Sequence, residues 1–319
     1  MERNSSYEVL IIGAGPAGLC AGMYTGRGML RTAILERGEP GGELLQTEWI
    51  EDYPGFLKVK GRDLAKLMAD HAKAFNAEIV QENVDAITRR DDGTFEVLTS
   101  RGSIYEAPAV IITAGGTPTK LDVPGEVEYA GRGVSYCAVC DGAFFRGETI
   151  AVVGGGDAAV EEAEYLTRYA EKVYVIHRRD QFRASKLLQE RLFANPKIEV
   201  IWNTKVLELL GEPSGLKELV LEDTVTGAPS RLAATGCFVF IGFKPNSHLI
   251  TQHVTHDASG YLITDDRMMT SIPGLFAAGD LRVQLTRQVT TAVGDATTAA
   301  IAVEKFLTER KTAPSTAGV

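Results

Sequence analysis

Two cysteines stand three positions apart in the run Ser135-Tyr136-Cys137-Ala138-Val139-Cys140-Asp141-Gly142. A Cys-x-x-Cys pair either binds metal or cycles between disulfide and dithiol. The chain has four cysteines in all, Cys20 and Cys237 lie far from the pair, and no histidine is near it. A closed zinc site takes four ligands, so redox chemistry fits better than metal. At the start of a helix such a pair can close a reducible disulfide, and a helix N-terminus lowers a thiol pKa and favours thiolate attack. Asp141 follows the second cysteine directly. It can move a proton, as dithiol chemistry requires, or cap a helix end; its residue type leaves both open. Cys20 and Cys237 fall in helix-like and strand-like segments and read as small buried hydrophobes.

A redox pair needs an electron source, and the glycines supply a candidate. The apolar run Glu8–Ile12 reads as a buried parallel strand. It enters Gly13-Ala14-Gly15-Pro16-Ala17-Gly18, the glycine pattern of a dinucleotide-binding turn. Gly13 permits the tight turn, Gly15 lets the backbone approach a pyrophosphate, and Gly18 lets the following helix pack close. The pyrophosphate is held at the helix N-terminus by free N–H groups and the dipole. A second strand, Arg31–Leu35, leads to Glu36, whose carboxylate can accept hydrogen bonds from a ribose.

The unit then repeats. Ile150–Val153 reads as a strand, Gly154-Gly155-Gly156-Asp157-Ala158-Ala159 as the turn, Ala158–Tyr169 as the helix and Lys172–Ile176 as the next strand. Gly13 to Glu36 is 23 positions, and so is Gly154 to His177. The first unit ends in an acid, the second in His177-Arg178-Arg179-Asp180-Gln181-Phe182-Arg183. A carboxylate pairs with ribose hydroxyls and repels a 2′-phosphate; arginines do the reverse. Two fingerprints imply two dinucleotides: FAD at the acid-ended turn, NADPH at the one carrying Arg178, Arg179 and Arg183.

The first unit is completed late in the chain. Ala107–Ala114 is another buried strand, ending in Gly115-Gly116-Thr117-Pro118. Phe238–Ile241 is a strand followed by Gly242-Phe243-Lys244-Pro245-Asn246. Ile272–Asp280 ends in Gly-Asp, which can set a carboxylate on the ribityl or pyrophosphate part of a flavin. The expected fold is therefore α/β: two doubly wound, Rossmann-like dinucleotide-binding domains, the NADPH domain inserted into the FAD domain. Residues 1–117 and 247–319 form the FAD domain and residues 118–246 the NADPH domain with the cysteine pair. The crossings, near Gly116–Thr119 and Gly242–Asn246, are rich in glycine and proline and suit a paired hinge.

Composition narrows the rest. With 319 residues the chain is long enough for two domains, and 45% apolar against 24% charged residues is ordinary for a soluble globular protein. A net charge of −9 disfavours nucleic acid and anionic membrane as partners. No apolar run approaches the ~20 residues that span a bilayer, and the polar stretch Met1–Glu8 lacks a secretory signal. A cytoplasmic location is expected, with Thr308–Val319 a frayed tail.

Together, Gly13–Gly18, Gly41-Gly42, Tyr53-Pro54-Gly55, Cys137–Gly142, Gly154–Glu162, His177–Arg183, Gly274–Asp280 and Arg287-Gln288-Val289 resemble the low-molecular-weight flavoprotein thioredoxin reductases of bacteria, from Leu10 to about Leu307. The resemblance implies a homodimer that passes hydride from NADPH to FAD, then reduces a Cys137–Cys140 disulfide, whose dithiol reduces thioredoxin or a thioredoxin-like redoxin. It implies that Cys140 faces the flavin, that Cys137 attacks the partner and that Asp141 is the acid/base. For FAD it implies contacts from Gly13, Gly15, Pro16, Ala17, Gly18 and Glu36, from Gly42, Glu43, Leu44, Thr47 and Asp52, and from Ala114, Gly279, Asp280, Arg287, Gln288 and Val289. For NADPH it implies Gly154, Gly156, Asp157, Ala158, Ala159, His177, Arg178, Arg179 and Arg183. No metal is implied. In this family the NADPH domain rotates, because cysteines and nicotinamide take turns at the flavin.

Three positions depart from the family pattern. Glu43 and Asp52 replace the usual Gln and Asn, and Ala296 replaces a glycine. The two acids either add carboxylates near the flavin, lowering its potential, or face solvent and do little. Other readings remain open: a reductase for a dedicated redoxin, a flavin dithiol oxidase, or a nucleotide-binding sensor. The oxidase has no use for an arginine-ended fingerprint and the sensor none for a cysteine pair. A ferredoxin-NADP reductase would lack the pair altogether. If the three arginines read a 2′-phosphate, replacing Arg178 and Arg179 by alanine raises KM for NADPH far more than for NADH, each lost charge-assisted contact costing roughly 1.5–3 kcal/mol; equal effects on the two cofactors in steady-state kinetics would remove the assignment.

Overall fold

The computed structural model describes residues 3–4, 7–45, 47 and 49–312. It falls into two compact units, Met1–Thr117 with Lys244–Val319, and Pro118–Phe243.

The first unit is built on a parallel sheet of five strands. Their order is Leu275–Ala277, Ala109–Ile112, Val9–Ile12, Thr32–Glu36, Glu78–Gln81. The run Val9–Ile12 is buried on both faces and alternates between two cores. Val9 and Ile11 join the core beneath helices Pro16–Arg27 and Val289–Thr312. Leu10 and Ile12 join the core beneath an antiparallel meander, Val84–Arg89, Phe95–Thr99 and Ile104–Ala107. That alternation is the period-2 geometry of a strand, and each fully buried Ile or Leu contributes about 1.5–3 kcal/mol. The chain order reverses between Val9–Ile12 and Ala109–Ile112, which is where doubly wound sheets take their ligands.

Local sequence explains the turn at that reversal. Gly13 has φ 102°, a conformation that favours glycine. Pro16 opens the helix with no N–H to leave unpaired. A Cβ on Gly18 would lie 1.8 Å from the Gly13 carbonyl oxygen and 2.7 Å from Thr113 Oγ1. Thr113 in turn donates to the Ile12 and Gly13 carbonyls at 2.9 and 2.8 Å, pinning the neighbouring strand to the turn.

The second unit repeats the plan. Its five parallel strands run Val134–Ser135, Gly236–Phe240, Thr149–Gly154, Lys172–Ile176, Ile198–Ile201. Ile150 and Val152 pack under helix Asp157–Leu166, and Ala151 and Val153 under the meander Thr204–Glu212, Gly215–Asp223, Pro229–Ala233. The crossings Gly116–Pro118 and Phe243–Pro245 run side by side as a two-stranded ladder.

Several expected boundaries move. The helix expected over Ala158–Tyr169 spans Asp157–Leu166 and gives way to a turn. The strand expected over Ala107–Ala114 breaks at Pro108, which has no N–H for a ladder; Ile104–Ala107 belongs to the meander and Ala109–Ile112 to the parallel sheet. The strand expected over Phe238–Ile241 is Gly236–Phe240. The expected tail from Thr308 is helical to Thr312. Leu307 is buried there, Arg310 donates to the Asp92 and Gly93 carbonyls, and Lys311 reaches Glu8; Ala313–Val319 lie outside the described residues. Among the described residues no helix is long and apolar enough to cross a membrane.

Because the overlap at Gly18 is with backbone, it cannot be relieved by a rotamer change. Gly18→Ala costs about 3 kcal/mol or more, read as a lower denaturation midpoint; an unchanged midpoint would contradict the close approach described here.

Candidate functional site

In the first unit, five separate segments converge at the C-terminal end of the sheet. The Glu36 carboxylate accepts the Ala14 N–H at 2.7 Å and the Gly38 N–H at 2.9 Å. Each oxygen keeps a second lone pair for a ligand hydroxyl. Gly42, at φ 55°, faces Gly15 so closely that a Cβ on it would lie 3.0 Å from the Gly15 Cα. Glycine is thus required on the far side of the turn as well. Leu44 is buried and packs in one cluster with Val289. Thr47 donates to the Glu43 carbonyl at 3.2 Å, which closes that segment, while Asp52 is exposed. Gly279, at φ 82°, lies against Ala17, its Cβ position 3.0 Å from the Ala17 Cβ.

The electrostatics of this end centre on acids. Asp280 Oδ1 is buried with no hydrogen-bond partner among the described residues. Burial pushes its carboxyl above the ordinary range, with Asp295 adding to the rise and Arg287 opposing it. Glu43 is raised by desolvation and by the Asp280 carboxylate. An orphaned buried acceptor costs about 1–3 kcal/mol, so Asp280 fits a ligand that brings a donor. A ribityl hydroxyl of FAD has that chemistry, and the side-chain-free backbone that Gly15 and Gly42 present beside the turn suits the approach of a pyrophosphate. Arg287 stacks 4.1 Å over the Tyr261 ring. Gln288 precedes the helix Val289–Thr312, and its N–H is taken by Thr291 Oγ1 at 3.0 Å.

Sequence reasoning missed the struts of this cradle. Asn246 Nδ2 donates to the Ala114 carbonyl at 2.7 Å, and its N–H to the Gly115 carbonyl at 3.0 Å. Asp295 accepts the Gly279 N–H at 3.2 Å and pairs with Arg282. Both act on backbone, a role no local motif signals.

In the second unit, a Cβ on Gly154 would lie 2.3 Å from the Phe240 carbonyl oxygen and 2.5 Å from the Ala159 Cβ. Space around Gly156, just before helix Asp157–Leu166, is open. Arg178, Arg179 and Arg183 are exposed and take part in none of the described ion pairs. Their loop is tied down by the Arg183 N–H on the Gly155 carbonyl at 2.8 Å and the Ser185 N–H on the Asp157 carboxylate at 2.7 Å; Ala158 is exposed beside it. His177 differs from Glu36, its counterpart in spacing. Its ring is buried, lies where a Cβ on Gly155 would sit, and packs against Phe182 and Trp202. Desolvation lowers its pKa, and it bridges to the Gln181 carbonyl at 3.0 Å. The imidazole supports the turn from below.

The cysteine segment lies in the same unit. Cys137 is disulfide-bonded and half-buried; the Cys140 side chain lies outside the described residues. The helix expected to lower a thiol pKa is Ala138–Asp141, a single turn, so its dipole is small. Hydrogen bonding does more here. Ser135 Oγ donates to Asp141 Oδ2 at 2.6 Å and accepts the Cys137 N–H at 3.0 Å. Next to Cys137, Tyr136 donates to the buried Glu126 carboxylate at 2.7 Å, which also takes the Leu121 and Asp122 N–H groups. Burial, then that carboxylate, raises the Tyr136 pKa. Cys20 and Cys237 are free and buried; burial raises the first thiol and pushes the second up to about 12, so both stay protonated. Among the described residues no group of three or more His, Cys, Asp or Glu can hold a metal ion.

The family model described as "Pyridine nucleotide-disulphide oxidoreductase" matches residues 7–296. Among curated relatives, the thioredoxin reductase of Bacillus subtilis is 46% identical over 97% of this chain and 97% of its own. That of Listeria innocua is 44% identical over 96% of each chain. The crystal structure of Lactococcus lactis thioredoxin reductase superposes with a TM-score of 0.93 at 42% identity, covering 95% of this chain and 100% of that one.

Position separates the two unusual acids. Both unusual acids are exposed; what sets Glu43 apart is its nearness to Asp280, whose carboxylate adds to the desolvation that raises the Glu43 pKa. Glu43→Gln is expected to raise the midpoint potential of bound flavin and Asp52→Asn to leave it unchanged; a spectroelectrochemical titration in which Glu43→Gln has no effect would place that carboxyl outside the flavin's field.

Proposed function

The chain belongs to the pyridine nucleotide-disulphide oxidoreductase family, among its thioredoxin reductases, and from that premise we propose how its residues divide the work. It is an NADPH-dependent thioredoxin-disulfide reductase with FAD and NADPH as cofactors. The observation that carries the mechanism is the disulfide-bonded Cys137 with the Asp141 carboxyl held beside its backbone through Ser135.

We assign FAD to the unit containing Gly13–Gly18 and NADPH to the unit containing Gly154–Ala159. FAD supplies two-electron transfer between a nicotinamide and a disulfide. Glu36 and Asp280 offer acceptors to hydroxyls, while the Gly13–Gly18 turn and Gly42 leave room for a pyrophosphate against free N–H groups. In the second unit Arg178, Arg179 and Arg183 bind the 2′-phosphate by charge and bidentate hydrogen bonds. Those unpaired arginines favour NADPH as donor and thereby the reductase over a dithiol oxidase.

Opening the Cys137–Cys140 disulfide takes two electrons and two protons. Asp141 is the residue that carries a proton to and from the thiols. The Cys137 thiolate attacks the partner disulfide, forming a mixed disulfide, and the Cys140 thiolate displaces it, closing the internal disulfide and releasing the partner as a dithiol. The partner is thioredoxin or a thioredoxin-like redoxin. Assembly as a homodimer and a cytoplasmic setting belong to the same proposal and rest on the family resemblance.

The test is anaerobic NADPH consumption by the flavin-loaded protein with and without oxidised thioredoxin. Consumption depends on thioredoxin and falls to background in Cys140→Ser, while NADPH still bleaches the flavin. Bleaching without thioredoxin dependence would replace the partner, and no bleaching at all would overturn the assignment of the second unit to NADPH.

A further inference from the structure

A single hydroxyl stands between the proposed proton carrier and the proposed nucleophile. Ser135 is buried at the end of the short strand Val134–Ser135. Its Oγ lies 2.6 Å from Asp141 Oδ2, 3.1 Å from the Cys137 carbonyl oxygen and 3.0 Å from the Cys137 N–H. A hydroxyl has one proton to donate and two lone pairs. Three partners at hydrogen-bond distance use that capacity in full, but only if Asp141 changes from acceptor to donor when it is protonated.

We propose that Ser135 is a positioning residue that holds Asp141 against the Cys137 backbone in both protonation states of the carboxyl. With Asp141 ionised, the Ser135 hydroxyl donates to Oδ2 and its oxygen accepts the Cys137 N–H. With Asp141 protonated, the carboxyl donates to the Ser135 oxygen, and the hydroxyl proton turns to the Cys137 carbonyl. One rotation about the Cβ–Oγ bond exchanges the two patterns. The Ser135–Asp141 bond and the Cys137 N–H bond persist in both patterns; the Cys137 carbonyl gives up the hydroxyl when Asp141 is ionised but keeps the Asp141 N–H at 3.2 Å, and the proton count balances: the carboxyl gains one proton and Ser135 keeps its own. A residue that must bind and release a proton each turnover is otherwise released from its partner in one of the two states. The inference rests on the assignment of Asp141 as proton carrier.

Ser135 and Asp141 both line a cavity of about 340 Å³ in this unit, whose wall also includes Glu148, Lys217 and Thr235. Thr235 Oγ1 donates to Glu148 Oε2 at 3.2 Å. The charged groups on the elements around the carboxyl are Arg132, Glu148 and Lys217 of the cavity wall, with Asp157, Glu161, Glu162 and Glu164 on the adjoining helix Asp157–Leu166. Arg132 is occupied by the Pro213 and Glu128 carbonyls at 3.1 and 2.7 Å. Ser135 is thus the neighbour described in direct hydrogen bonding with the Asp141 side chain.

The hydrogen bond to the anion is charge-assisted and stronger than its neutral counterpart. Ser135→Ala therefore favours the protonated carboxyl. The experiment is a pH titration of the full-length, flavin-loaded protein labelled with 13Cγ aspartate, the Asp141 resonance being identified by its loss in Asp141→Asn. The Asp141 midpoint is higher in Ser135→Ala than in the wild type, because one charge-assisted bond to the anion is lost, and returns to the wild-type position in Ser135→Thr. The acid limb of kcat for thioredoxin reduction moves with it, and kcat at neutral pH falls about tenfold, while KM for NADPH and flavin bleaching by NADPH stay as in the wild type. An Asp141 midpoint unmoved in Ser135→Ala, or moved and not restored by threonine, overturns the inference. A wild-type protein that fails to reduce thioredoxin while Ser135→Ala still shifts the midpoint leaves the inference standing and removes the partner instead.

Discussion

At each nucleotide turn, two backbones approach too closely for a side chain to fit between them. In the first unit the helix after the turn presses Gly18 onto the Gly13 carbonyl, and Thr113 clamps the adjacent strand to the same atoms. In the second, Gly154 is wedged between the Phe240 carbonyl and Ala159. This contact fixes the helix N-terminus relative to the strand ends, and everything that could hold a dinucleotide is placed from there. In the first unit the same constraint extends outward: Gly42 lies against Gly15 with no room for a methyl group, and Gly279 rests on Ala17.

The two units share one plan and diverge where the second strand ends. In one, Glu36 turns back to the glycine turn and takes the Ala14 N–H, with the Gly38 N–H on its other oxygen, tying the acid into the floor of the site. In the other, the equivalent position is His177, whose ring is drawn under the turn by Phe182 and Trp202. Removing that residue from the surface leaves the arginines beside it exposed. A carboxylate and an imidazole at the same spacing thus do different structural work. A carboxylate is costly to bury and finds backbone donors, whereas a neutral imidazole is cheaply buried against aromatic rings.

Around the cysteines, hydrogen bonding takes the part that a helix dipole was expected to play. The helix there is one turn long. What organises the segment is a pair of buried networks, Ser135 with Asp141 on one side of Cys137 and Tyr136 with Glu126 on the other. The second ties the redox segment to Leu121 and Asp122, close in sequence to the crossing at Gly116–Pro118. Buried networks of this kind hold one geometry because any rearrangement strands a polar group.

The sequence by itself determined the doubled nucleotide unit, the acid at Glu36, the arginines after His177 and the paired cysteines. Each is a local pattern: glycines at fixed offsets, a buried run, and a charge at the end of the next strand. It also placed the strand, turn, helix and strand of each nucleotide unit, though not the ends of those elements or the two antiparallel meanders, which depend on what each segment packs against. Only the tertiary structure decided the roles of Thr113, Asn246, Asp295, Ser135 and Glu126. Most of these act on backbone atoms distant in sequence, and even Ser135, two positions from Cys137, needs a hydroxyl geometry that residue type does not reveal. Tertiary structure likewise separated His177 from Glu36 and brought Glu43 near Asp280, since which groups an ionisable side chain meets is set by packing between segments.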